Sequence, residues 1–376
     1  MALKIKQRFV TSVSKRLPWL PKKAIMPLAL ALVVAIPVAT VLAFSYGPLV
    51  NVQPENGSLS GGTTTVADAS ASGGQSVKFQ TADPESCPNA QHEPGGDDGM
   101  GGCWPYEGNT GVPAGTTLTT YSGPCTITVD NTVIDSKTVN CSLFIEAENV
   151  TITKSQINGR IQVDSDDCGL GYSFNVSDSR IHEGDINFRG LMSCNYTATR
   201  VNVSGGQSMA WCDTCTIQDS YLHSPLEDPE GAAANHGAHN STVRVSKNAY
   251  LLHNTLWCQV VEYPQPDGQD TSGCSANQTA YSHDGAAPYN STIEKNLYMP
   301  TTGGYCAYGG STAGDLAAVH DIVFKDNIFK RGTGPSQSGT PTCGYYGAST
   351  SFDPARPGNQ WTNNRWDDGT ILPANS

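Results

Sequence analysis

Histidines and carboxylates crowd into one part of this chain. Between Leu222 and Val243 lie His223, Glu227, Asp228, Glu230, Asn235, His236 and His239, and later stretches add Glu262, Tyr263, Asp267, Asp270, His283, Asp284, Tyr305 and Tyr308. These types fit β-elimination, which needs a base for the proton beside a carboxylate and a cation to neutralise that carboxylate. His239 is the candidate base, with His236 or His283 assisting, and Asp228, Glu230 or Asp284 would hold a Ca²⁺. Glycoside hydrolysis would instead need two carboxylates roughly 5 to 9.5 Å apart, for which Glu227, Asp228, Glu230, Glu262 and Asp284 are available. Glu262, Tyr263, Asp284, Tyr305 and Tyr308 are the candidate substrate contacts, since exposed aromatic rings offer flat apolar faces with a polar edge. Simpler roles stand beside these. His253 adjoins Asn254 at a turn register, His223 can cap a turn, and His236-x-x-His239 without a third ligand does not define a metal site.

The elements that must position these groups are written as a repeated phrase: apolar, two variable residues, Ser/Thr/Asn, any residue, apolar. It runs from Ile152 to Ile157, then Val176 to Ile181, Tyr196 to Val201, Ile217 to Leu222, Leu251 to Leu256, Ile293 to Tyr298, Phe324 to Phe329 and Trp361 to Trp366. The polar position reads Ser155, Ser179, Thr199, Ser220, Asn254, Asn296, Asn327 and Asn364. Each phrase is strand-like, rich in β-branched and aromatic residues, and no sustained helical period follows it. Starts advance by 20 to 24 residues as far as Ile217 and by 31 to 42 thereafter. That spacing predicts an all-β solenoid, a right-handed parallel β-helix over residues 124–376, with the longer later repeats carrying loops. Stacked coils about 4.8 Å apart would align the Ser/Thr/Asn positions into a hydrogen-bonded row.

Residues 1–44 read as a separate module. Seven basic residues precede an uncharged apolar stretch, Ala24 to Phe44, which is long enough to span a bilayer. It is either a signal peptide, with Val41-Leu42-Ala43 as the cleavage site, or a membrane anchor with its basic flank inside. Either way the remainder is extracellular or cell-surface. Without those seven charges, 15 of the 22 Lys+Arg face all 34 Asp+Glu. So acidic a body excludes nucleic acid as partner, because phosphate binding needs clustered cations. Residues 45–82, rich in Gly, Ser and Thr, read as a flexible linker, and 83–123, with Trp104 and Tyr106, as an N-terminal cap.

All twelve cysteines follow the apolar segment, and an even count in an exported chain reads as disulfides. Cys87–Cys103, Cys125–Cys141, Cys258–Cys274 and Cys306–Cys343 are natural neighbours. For the rest, stacking would pair Cys194 with Cys215, whereas the local set joins Cys168 to Cys194 and Cys212 to Cys215; the local set is favoured. A thioredoxin-like role for Cys212-x-x-Cys215 lacks the βαβ context it requires. Nine Asn-x-Ser/Thr triplets occur, and Asn149 and Asn175 sit at strand starts, where Asn turns before Thr/Ser strands generate such triplets as a by-product.

Three stretches carry a resemblance: Asn109 to Leu118, Val243 to Cys258, and Pro357-Gly358-Asn359 through Asn363-Asn364-Arg365-Trp366-Asp367-Asp368-Gly369. Over roughly Gly108 to Gly369 the chain resembles exported right-handed parallel β-helix proteins of pectin-lyase-like type, common in actinobacteria. The resemblance implies the fold and no particular reaction. Asn235-His236-Gly237 resembles part of the Gly-His-Gly element of polygalacturonases, but Arg244-Val245-Ser246 lacks the lysine that should follow. The expectation is an exported protein that binds or cleaves an extracellular polysaccharide, as a lyase or glycoside hydrolase if catalytic. The alternative is a non-catalytic structural or adhesive surface protein.

Overall fold

The computed structural model describes residues 64–67, 75–78 and 87–376, except 235–236, 262, 265–270, 281–286, 312–317 and 335. The chain divides into two units, Met1–Gln80 and Thr81–Ser376. In the first, inside the stretch read as a flexible linker, Thr64–Ala67 pairs antiparallel with Gln75–Lys78. Residues 24–44 lie outside the described residues, and among those described no helix is long and apolar enough to cross a membrane.

The second unit is almost entirely β, built of short strands that recur on three faces of a stack. One coil shows the plan: Val150–Thr153 on face 1, Gln156–Asn158 on face 2, Ile161–Gln162 on face 3, then Phe174–Ser177 on face 1 again. Each strand pairs in parallel with its equivalents in neighbouring coils, as Val176 does with Ile152 and Ala198. Face 2 is a ten-stranded sheet, and faces 1 and 3 join into an 18-stranded sheet through the long strand Ser208–Gln218, which rounds a corner. This is the arrangement of long parallel sheets found in a β-helix solenoid.

Inward positions stack into one continuous core. Ile134, Ile152, Val176, Ala198, Ile217, Leu251, Ile293 and Phe324 follow one another on face 1, all within 1% of fully buried. Each large aliphatic or aromatic side chain so buried contributes roughly 1.5–3 kcal/mol relative to exposure. Gln278 interrupts the inward row of face 3, and its amide donates to the Tyr308 carbonyl at 3.2 Å.

The repeated phrase is the corner between faces 1 and 2. Its third residue takes the left-handed conformation in Lys154, Asp178, Asp219, His253, Lys295, Asp326 and Asn363, with φ from 48° to 56°. Non-glycine residues adopt that region at a cost of roughly 1 kcal/mol or more. The polar fourth residue offsets the cost by accepting a buried backbone N–H from the preceding coil. Lys137 N donates to Ser155 Oγ, Ser155 N to Ser179 Oγ, Ser220 N to Asn254 Oδ1, Asn254 N to Asn296 Oδ1, Asn296 N to Asn327 Oδ1, and Asn327 N to Asn364 Oδ1, at 2.9–3.1 Å. The asparagines also bond amide to amide, Asn254 to Asn296 and Asn296 to Asn327 at 3.0 Å.

One register differs from the sequence reading. Ala198 pairs with Ile217 and Thr199 with Gln218, and Arg200 holds the left-handed corner with φ 50°. The ladder position of that coil is therefore Val201, not Thr199. Alternating residues inside the strand Cys194–Thr199 reproduce the apolar-polar spacing two positions early, and this shifts the phrase.

All twelve cysteines are paired, and the middle four form the local set, Cys168–Cys194 and Cys212–Cys215. Six disulfides fit an oxidising, extracellular environment. Cys212 and Cys215 are buried, with 0% and 3% exposure, which keeps that pair away from a redox partner.

Residues 87–112 form a strap along the outside of face 2. Trp104 is its anchor, buried with Leu297 and Met299 and stacked 5.2 Å from the His253 ring. Asp98 approaches His253 Nε2 at 3.3 Å, Glu93 pairs with Lys330, and Glu107 with Arg180 at 2.7 Å. The strap thus touches coils from Arg180 to Lys330. Its one large indole needs an apolar partner, and the outward Leu297, Met299 and Ile328 of face 2 supply it.

Candidate functional site

Face 3 lies between the long connections. Segments 224–238, 258–270 and 330–346 join face 2 to face 3, and segment 309–319 joins face 3 to face 1. These are the excess residues of the later repeats. Between Ser224 and Ala238 the chain makes a short helix, Pro229–Ala233, started by Asp228. Asp228 accepts from Gly231 N at 3.0 Å through Oδ1 and from Ala238 N at 2.9 Å through Oδ2. Each carboxylate oxygen accepts one backbone N–H that helps close the loop, so Asp228, the candidate acid or cation ligand, is also the cap of the helix. Asn240 secures the other end, its amide donating to the carbonyls of Gln207 and Leu226 at 3.2 and 2.9 Å.

Glu230 and His239 are exposed and line one open cleft of about 600 Å³ with Ile186, Asn187, Gln207 and Asp228. Of the five residues expected to be catalytic, three therefore meet at one place. Beside them, Asp185 accepts from the backbone and side chain of Asn187 at 2.9 and 2.8 Å, and these bonds hold its carboxyl below the usual range. His236 and His283 lie outside the described residues, as do Glu262 and Asp284; for Tyr263 only the backbone is described, in Tyr263–Pro264 paired with Ser272 and Thr271.

Tyr305 and Tyr308 belong to face 3, on the strand Tyr305–Tyr308, with ring centroids 5.7 Å apart. Tyr346 stands 5.6 Å from Tyr305 and 4.8 Å from Tyr345. Pairing places Trp211 opposite Arg244, Arg244 opposite Thr279, and Tyr308 opposite Thr350. Since Gln278 faces Ala307, Trp211, Arg244, Thr279, Tyr308 and Thr350 form one outward row. The tyrosines and the His239 strand thus share a face two coils apart, roughly 10 Å along the stack.

Trp211 and Arg244 were not singled out from sequence. Their only sequence signal is the shared strand register, which depends on knowing how the long repeats align. Trp211 donates to Ser246 Oγ at 2.9 Å, and the Arg189 guanidinium lies 5.1 Å over its ring. Arg189 also donates to Gln207 Oε1 at 3.1 Å, and Arg244 to the His239 carbonyl at 3.1 Å. Two cations therefore flank the cleft in an acidic chain.

Among the described residues no group of three or more His, Cys, Asp or Glu side chains is arranged to hold a metal ion. His223 is set by neighbours rather than by a reaction. Its Nε2 meets Asn202 Oδ1 at 3.1 Å and its Nδ1 meets Ser224 Oγ at 2.8 Å, which suits a neutral ring donating through Nε2. Burial pushes its pKa down to about 4. Asn202, Asn240 and Asn277, three of the triplet asparagines, are buried, and Asn149, Asn195 and Asn290 are left-handed corner residues. No known protein-family model matches the chain, and no curated protein or solved structure matches it.

Proposed function

We propose that the chain is an exported right-handed β-helix of pectin-lyase-like type whose third face binds an extracellular polysaccharide, with residues 24–44 directing export or anchoring it to the membrane. The observation that carries this reading is the convergence of exposed Glu230 and His239 with Asn187 and Gln207 in one open cleft, on the face that also bears Trp211, Arg244 and Tyr308. An extended glycan needs hydrogen-bonding groups and aromatic surface spaced along its length, and a solenoid face supplies such repeats. Binding is favoured over hydrolysis because Asp228 is occupied by backbone N–H groups. The other exposed carboxylate beside the cleft, Asp185, is held by Asn187, so Glu230 has no unoccupied partner among the described residues, where hydrolysis requires two. Titration against uronate and neutral glycans, with and without Ca²⁺, tests the proposal. Glu230→Gln with His239→Ala should weaken binding about tenfold, near 1.4 kcal/mol. Absence of binding to every glycan would overturn it, and release of unsaturated or reducing ends would move the reading from retention to cleavage.

A further inference from the structure

The strap and the loops beyond face 2 enclose a second cavity of about 460 Å³, away from Glu230 and His239. Its volume lies in the range of about 300–1,000 Å³ typical of small-ligand sites. Trp257 and Met299 form its apolar side, Gln259 and Thr333 stand exposed at its edge, and Glu93 reaches it from the strap. Cys343, held to Cys306 and 3.6 Å from the Met299 carbonyl, and Gly344 also line it, so a disulfide fixes part of the wall.

Charge distinguishes this cavity. Lys330 and Arg331 both border it, yet Lys330 is paired with Glu93, and Arg331 lies 2.7 Å from Asp367 and 3.1 Å from Asp368. Arg331 also sits 4.4 Å over the Trp366 ring. Each cation is already neutralised, so a carboxylate entering here would have to displace an existing partner. What remains is an indole, a thioether, hydroxyls and an amide. That set matches a ligand with apolar C–H faces and hydroxyl edges and no charge.

We infer that this cavity is a subsite for a neutral saccharide, a short run of uncharged hexose or pentose units with one ring resting against Trp257. The inference stands on its own residues and does not depend on the Glu230–His239 cleft. Because Glu93 belongs to the strap, the subsite is complete only while the strap is docked.

Calorimetric titration of the full exported chain with neutral oligosaccharides (gluco-, manno- and xylo-configured) and with oligouronates tests it. Neutral sugars should bind at least tenfold tighter than uronates of equal length at this subsite. Trp257→Leu, which keeps apolar cover for the Trp104 cluster, should lower neutral-sugar affinity tenfold or more. Thr333→Trp, on an exposed loop, should do the same by filling the entrance, and gives a second reading if Trp257→Leu shifts the melting temperature. Loss of one class of neutral-sugar sites in these two variants, whatever Glu230→Gln/His239→Ala does to the remaining sites, supports the subsite even if the face 3 cleft proves inert. Unaltered affinity in both, or binding of uronates alone through Glu230 and His239, overturns the subsite while leaving the face 3 proposal standing.

Discussion

Val201 occupies the ladder register between Ser179 and Ser220, and its backbone N–H donates to Ser220 Oγ at 3.1 Å. A valine has nothing to offer back to Ser179, so the row is broken at that coil alone between Ser155 and Asn364. Val201→Thr, which keeps a methyl group in the apolar core that Val201 joins, should repair it and raise stability by about 1 kcal/mol, the usual net value of an intramolecular hydrogen bond. An unchanged or lowered midpoint in denaturant unfolding would show that the site cannot take the hydroxyl. His223 gives a second test. Its folded pKa of about 4 lies below the ordinary histidine value of about 6.5, so the stabilisation of the neutral ring is complete above pH 6.5. It is lost as pH falls from 6.5 to 4, where the unfolded chain takes up the proton first. The loss is on the order of 3 kcal/mol. His223→Gln should flatten that part of the stability profile, and a profile identical to that of the parent would refute the assignment.

At the scale of elements, the corner phrase was legible because three physical demands coincide on six residues: an inward apolar group at each end, a left-handed turn, and a buried acceptor. The phrases around Asn254, Asn296, Asn327 and Asn364 meet all three, with His253, Lys295, Asp326 and Asn363 as the left-handed residues. Thr199 imitated the pattern within a strand, and only pairing with Gln218 separates the two. The candidate site was legible in part. Asp228, Glu230 and His239 sit in one loop, so their proximity follows from sequence, whereas Trp211 and Arg244 meet through strand register across 33 residues. The cap role of Asp228 had a signal that was not read, Pro229 at the first helical position after it, whereas nothing in its neighbours announces that Ala238 would take its second oxygen. The strap is the element with the least periodic sequence and a plain energetic anchor. Trp104→Ala removes its buried indole and should cost about 3–5 kcal/mol. Hydrogen exchange should then rise across residues 97–111 while far-ultraviolet dichroism of the coils persists. Exchange rising equally throughout the coils would mean that the strap and stack unfold as one.

As a whole the described body keeps its rigid and its variable parts apart. Stacked apolar residues run through every coil from Ile134 to Trp361 and the polar corner row through all of them but that of Val201, as serines first and as amides from Asn254 on, while the loops that differ from coil to coil gather beside face 3 and around the strap. Such separation lets loops change without disturbing the core, because each coil is stabilised chiefly by its immediate neighbours. Both candidate sites depend on it. The Glu230–His239 cleft sets the first long loop, 224–238, against Ile186, Asn187 and Gln207 of the shorter coils before it, and the Trp257 cavity is walled by a loop pinned at Cys343.

The path of the strap also decides where force would enter the molecule. Its Glu93 end meets Lys330, and Ser376 at the other terminus accepts from Ala348 and Ser349 in the last strand of face 3. The chain therefore arrives and departs at one end of the stack, and the first coil, at Thr119–Asp135, is the end farthest from both. Tension reaching the strap at Cys87 would pass through the Cys87–Cys103 bond directly to Trp104, so Glu93 and Asp98, inside that closed loop, would be spared and the buried indole would bear the load first. The fold carries a sacrificial seam at Trp104, and the stacked coils sit behind it.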